Sequence, residues 1–238
     1  MTLHRRALAL ALGAGTLLLA GCTPWRLHTT AALAEAATPF QARPARPERS
    51  LLVVGDSTAV GTGASAPQTS LAGLIGQDHP RWRIDNLATN GARFADVVGQ
   101  LNRADAGHDL VLILAGGNDV IRLTGEHALH ADVEQAVALA RSKGRQVVLM
   151  PAGNVGHAPF FSPPLTWWMA ARSEQLHRII GRVAARTGAV YVSLLRPRDD
   201  DPFVQRAAEL NAADGLHPSD AGYRVWYATL RQQGGLAP

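Results

Sequence analysis

Short apolar runs recur along this chain at intervals filled by helix-like stretches, and that alternation restricts the fold more than any other feature. The runs are Leu51–Val54, Ile84–Leu87, Leu110–Leu114, Val147–Met150 and Val190–Leu195. Between and after them, Ser70–Gln77, Arg93–Arg103, Glu126–Lys143, Trp167–Thr187 and Asp220–Gln232 have helical character. A strand that is apolar at every position is buried on both faces, which happens when crossover helices cover both sides of a parallel sheet. Right-handed crossovers then put the carboxyl end of every strand on one side. The pattern predicts a single three-layer α/β/α domain over residues 50–238 with a five-stranded parallel sheet.

That geometry gathers the chemistry-bearing loops. Ser57 follows the first run, Asn90-Gly91 the second, Gly117-Asn118 the third and Asn154 the fourth, so all four loops open at the edge where doubly wound sheets bind ligands. Gly55-Asp56-Ser57 delivers a hydroxyl at a strand-to-helix turn. Asp214-Gly215-Leu216-His217 places a carboxylate three residues before an imidazole, with Gly215 and Pro218 to bend the chain. In that turn Asp214 can accept the Nδ1–H of His217 and leave Nε2 free to take a proton from Ser57. Nucleophile, base and orienting carboxylate are the parts of a serine hydrolase. No Gly-x-Ser-x-Gly elbow occurs, because the second residue after Ser57 is Ala59.

With these residues in place the chain resembles the SGNH (GDSL-type) hydrolase family, whose marker residues are Ser, Gly, Asn and His in that order. Here they read Ser57, Gly91, Asn118 and His217, and the resemblance covers roughly residues 50–230. It implies a flavodoxin-like strand order 2-1-3-4-5. It also implies acyl transfer to Ser57 with Asp214 and His217 as partners, and an oxyanion hole of Ser57, Gly91 and Asn118. The family needs no cofactor. Asp56 and Asp119 read as structural residues that hold their loops through backbone N–H groups. The expected substrate is a carboxylic ester. Alternatives are an O-acetyl esterase or O-acyltransferase acting on cell-wall or exported polysaccharide, and a catalytically silent lipoprotein that binds glycan or lipid.

Other residues invite weaker readings. Residues 157–168, with Phe160, Phe161 and Trp167, form an apolar loop after the fourth run that reads as a wall of the substrate pocket, a membrane-facing rim or a packed excursion covering the sheet edge, and Asn154 reads as a further pocket residue. Asp199-Asp200-Asp201 reads as a solvated loop rather than a metal site, and no metal is expected. His127, His130 and Glu134 read as a polar helix face.

The amino end is a separate matter. His4-Arg5-Arg6 precede an apolar run, Ala7–Ala20, too short to span a bilayer comfortably, which predicts a secretory signal over residues 1–21. Leu19-Ala20-Gly21-Cys22 resembles the lipobox of bacterial lipoproteins, and Cys22, the single cysteine, is the expected lipid acceptor. Residues 22–49, interrupted by Pro39, Pro44 and Pro47, read as a spacer whose one helical stretch is residues 30–37. These features predict a lipid-anchored protein of the bacterial envelope, on the periplasmic face. Thr23 after the cysteine favours the outer membrane. Of the formal net charge of +4, Arg5 and Arg6 carry two charges and the spacer nets two more, so the domain from Ser50 onward is neutral. A neutral domain without a basic stripe gives no footprint for nucleic acid. The sequence carries no signal for oligomeric state.

Overall fold

The structure, a computed structural model, describes residues 25–236. The apolar run Ala7–Ala20 and Cys22, on which the leader and anchor expectations rest, lie outside the described residues. Five strands form one sheet: β1 (Arg49–Gly55), β2 (Trp82–Asn86), β3 (His108–Leu114), β4 (Gly144–Leu149) and β5 (Val190–Tyr191). Their order is β2-β1-β3-β4-β5 and every pairing is parallel, as expected.

The continuous apolar runs follow from the layers. Leu51 and Val53 of β1 pack in one core with Leu71 and Ile75 of α3 (Leu71–Asp78) and Tyr223 and Leu230 of α10 (Asp220–Gln233). Leu52 and Val54 point the other way. They pack with α4 (Phe94–Arg103), α6 (Glu126–Lys143) and α7 (Leu165–Thr187) through Val97, Leu101, Val133, Val137, Leu176 and Ile180. Burying each such side chain contributes roughly 1.5–3 kcal/mol, so neither face of the strand tolerates a polar residue. The flanking helices start where serines can cap them: Ser70 Oγ accepts Gly73 N–H at 3.1 Å, and Ser219 Oγ accepts Gly222 N–H at 3.2 Å.

Two elements differ from expectation. The fifth strand stops at Tyr191 instead of running to Leu195. Val192 N–H still reaches Leu149 C=O at 2.9 Å, but the next amide, Ser193 N–H, is taken by Gln233 Oε1 at the end of α10, at 2.8 Å.

The second difference is larger. The expected spacer is packed against the domain. A helix, α1, occupies residues 25–36, beginning well before the stretch 30–37 and ending ahead of Pro39. Beyond it, Gln41 Nε2 donates to Asn86 C=O at 2.7 Å and its Oε1 accepts Asn86 N–H at 3.0 Å. Ala42 forms an antiparallel bridge with Ile84. Residues 41–42 thus cover the outer edge of β2, which would otherwise expose unpaired backbone groups.

Candidate active site

The first loop is fixed by a close approach. Gly55 has φ +147°, and a Cβ there would lie 1.8 Å from Leu114 C=O, so the turn out of β1 admits only glycine. Asp56 then caps α2 (Ser57–Val60): its Oδ1 accepts Thr58 N–H at 2.9 Å and Thr58 Oγ1–H at 2.7 Å. Ser57 is left at the first helical position with its side chain free of the cap. Burial pushes the Asp56 carboxyl up to about 6, against the opposing pull of the Thr58 hydrogen bonds.

From the far end of the chain, the loop between α9 (Ala207–Leu210) and α10 brings Asp214 and His217 to the same place. His217 Nε2 lies 2.8 Å from Ser57 Oγ, and Nδ1 lies 2.6 Å from Asp214 Oδ2. Asp214 Oδ1 accepts the backbone N–H groups of Leu216 at 2.9 Å and His217 at 3.1 Å. Burial works to raise the Asp214 carboxyl, but the hydrogen bond and charge of His217 and these two amides outweigh it and hold it below the ordinary carboxylate value. An ionised carboxylate only accepts, so the imidazole proton sits on Nδ1, and Nε2 is left to accept the Ser57 hydroxyl.

Gly91 and Asn118 come to the same cavity, which has a volume of about 450 Å³. Gly91 takes the left-handed φ +77° after β2. Asn118 lies in α5 (Gly117–Ile121), where its Nδ2 donates to Ala92 C=O at 3.2 Å, tying the third loop to the second. Asp119 is buried and accepts Phe94 N–H at 3.0 Å. An amide donor beside an activated hydroxyl is suited to stabilising an oxyanion.

Asn154 also lines the cavity, with its side chain accepting Gly156 N–H at 3.0 Å. The aromatic candidates do not. Phe160 N–H is bound to Gly215 C=O at 2.9 Å, Phe161 packs on the hydrophobic core, and Trp167 is 71% exposed on α7. Asp201 does not belong to a solvated loop either. It is buried, it caps α8 (Pro202–Gln205), and its Oδ2 meets His157 Nδ1 at 2.7 Å, with both residues lining the cavity. Of the stretch 157–168, His157 does line the cavity; sequence reasoning missed Asp201 and Arg196, and from α1 it missed Leu27, Thr30, Ala31 and Ala34. The α1 set had a legible signal, a shared face at i, i+3, i+4 and i+7. Among the described residues no group of three or more His, Cys, Asp or Glu is placed to hold a metal ion.

Comparisons with known proteins give the fold and the family. A GDSL-like esterase of Mycobacterium tuberculosis is 28% identical over an alignment of 186 positions that covers 74% of this chain and 58% of that protein's length. Two solved structures share the fold. LAE5, an α/β hydrolase enzyme from the metagenome of Lake Arreo, superposes with a TM-score of 0.64 at 21% identity, covering 81% of this chain and 98% of that one. Axe2, an acetylxylan esterase of Geobacillus stearothermophilus, superposes at 0.60 with 20% identity, covering 81% and 96%. Residues 53–225 match the model of the GDSL-like Lipase/Acylhydrolase family, and with most of the sequence inside that match the chain belongs to this family.

Proposed function

We propose that the protein is a serine esterase that hydrolyses carboxylic esters through an acyl-enzyme on Ser57, held at the bacterial cell envelope by lipid on Cys22. The observation that carries the chemistry is the hydrogen-bonded series Ser57–His217–Asp214, at 2.8 and 2.6 Å, bordering a cavity of about 450 Å³. As Ser57 Oγ attacks the ester carbonyl, its proton passes to His217 Nε2. The developing oxyanion is met by the N–H groups of Ser57 and Gly91 and by Asn118 Nδ2. Collapse breaks the bond to the alcohol, which takes the proton from His217 and leaves. Water, deprotonated by the same imidazole, then attacks the acyl-enzyme and releases the acid. Asp214 stays ionised throughout and stabilises the imidazolium.

The Mycobacterium and Geobacillus proteins are both esterases, which supports ester cleavage. Leu19-Ala20-Gly21-Cys22, at the end of an apolar run, supports the lipid anchor, and Thr23 favours the outer membrane. A fluorophosphonate should label wild-type protein and not Ser57→Ala. A panel of p-nitrophenyl esters from acetate to palmitate, run beside an acetylated glycan, gives the substrate class. Absence of both labelling and turnover would sink the reading. Turnover of the glycan well above every p-nitrophenyl ester would assign the polysaccharide O-acetyl esterase instead.

A further inference from the structure

Helix α1 borders the cavity that holds Ser57, with Leu27 still 56% exposed. Leu27, Thr30, Ala31 and Ala34 all line it, on one face of the helix. Three attachments hold that face down. Near its start, Arg26 Nη1 donates to the carbonyls of Pro159 at 2.7 Å and Phe160 at 2.9 Å. Near its end, Asn90 Nδ2 donates to Ala34 C=O at 2.8 Å, which satisfies a carbonyl of the last turn, and Asn90 Oδ1 accepts Thr62 Oγ1–H at 2.7 Å. Between them, Thr30 Oγ1 donates to Asp214 Oδ2 at 3.1 Å.

The last contact reaches the reaction centre. The Asp214 side chain is 0% exposed, so it relies on protein donors in place of water. Its Oδ1 has two backbone N–H groups, and its Oδ2 has His217 Nδ1 and Thr30. Among the described residues Thr30 is the only donor to this carboxylate from outside the Asp214–His217 turn. It opposes rotation of the carboxylate away from the imidazole. Beside it, Ala31 and Ala34 present methyl groups where longer side chains would fill the space.

We propose that α1 is a wall of the substrate site: Thr30 is a positioning residue that fixes Asp214 for His217, and Leu27, Ala31 and Ala34 set the length of aliphatic chain the cavity admits. The ligand chemistry is an ester with an alkyl chain lying along this apolar face. The proposal rests on the serine-esterase reading, and the two can fail separately.

The test uses the full chain and p-nitrophenyl acetate and octanoate. Thr30→Val keeps the shape and removes the donor; kcat should fall about tenfold with KM little changed, since one hydrogen bond to a charged group is lost. Thr30→Ser restores the hydroxyl and should restore most of kcat, while thermal unfolding reports on the fold of each variant. Wild-type kcat in Thr30→Val, or a Ser variant as slow as Val, would overturn the positioning role. In Ala34→Trp the octanoate-to-acetate ratio of kcat/KM should drop by roughly tenfold or more, the range that misfit of a few methylenes produces. Ala31→Leu is the milder replacement if the tryptophan variant misfolds. An unchanged ratio would show that α1 is not a wall. A wild type inactive on both esters and unlabelled by the fluorophosphonate would remove the esterase reading itself, one labelled yet inactive on both would overturn the alkyl-ester assignment made here, and an active wild type with unaffected α1 variants removes only this proposal.

Discussion

The side chain of Gln100 brackets the peptide groups of Gly55: its Oε1 accepts Gly55 N–H at 2.8 Å and its Nε2 donates to Gly55 C=O at 2.9 Å. Nε2 also reaches Thr89 Oγ1 at 3.0 Å, so one buried amide joins the loop that carries Ser57 to the loop that carries Gly91. Gly55 C=O keeps a second partner in Thr89 N–H, but its N–H depends on Gln100. Gln100→Leu should therefore lower stability by about 1–3 kcal/mol, the cost of a buried amide left unpaired. Urea unfolding should show a lower midpoint at unchanged slope, and kcat should fall with it because the turn that aims Ser57 loosens.

Ser57→Ala should abolish ester hydrolysis by at least about 10³-fold and leave the fold intact, because the hydroxyl sits at the cavity and not in either core. Retention of more than a few per cent of wild-type turnover by the purified variant, with circular dichroism unchanged, would move the nucleophile elsewhere.

For Asp214→Asn the expected loss in kcat/KM is on the order of 10²–10⁴, severe but smaller than for His217→Ala. The amide keeps the shape of the carboxylate. It cannot stabilise the imidazolium, and it can present N–H to His217 and impose the wrong tautomer. Equal rates for variant and wild type across the pH range would take Asp214 out of the mechanism.

Asp56 gives a stability prediction with a definite sign. Its carboxyl is raised from an ordinary 3.8 to about 6, so the folded state holds a proton that the unfolded chain releases earlier. The Asp56 contribution to stability therefore falls as pH rises from about 4 to about 6, by on the order of 3 kcal/mol once both states are ionised. Asp56→Asn keeps an acceptor for Thr58 and has nothing to ionise. The wild-type-minus-variant difference in unfolding free energy should decline over that window and level off above it, and a flat difference would refute the raised carboxyl.

Cys22→Ser should block lipid attachment, since the chain has no second cysteine to accept it. Metabolic labelling with a palmitate analogue followed by membrane fractionation provides the check: the wild type should carry label and sediment with membranes, and the variant should do neither. Equal labelling of the two would end the anchor proposal.

Much of the site was legible because its residues are tied to local signals. Gly55-Asp56-Ser57, Asn90-Gly91 and Gly117-Asn118 each follow an apolar strand, and a parallel sheet puts all such loops at one edge. The three-residue spacing of Asp214 and His217 is closed by a turn that Gly215 and Pro218 announce. The rest had composition as its only signal, which left alternatives open. Phe160, Phe161 and Trp167 announce an apolar loop, but not that Phe160 binds Gly215, that Phe161 faces the core, or that Trp167 faces outward. Asp201 looks like its neighbours Asp199 and Asp200 until His157 is found beside it.

By itself, then, the sequence determined the parallel α/β alternation, the edge at which chemistry collects and the turn that pairs a carboxylate with an imidazole, because periodicity and spacing act over a few residues; the strand order came only from the resemblance to the family. Only the tertiary structure decided that residues 25–36 return to the cavity, that Thr30 reaches Asp214 across 184 positions, and that Gln100 joins two loops. Those contacts come from helices packing on a finished sheet. No local propensity encodes which buried carboxylate or unpaired amide a distant hydroxyl or side-chain amide will meet.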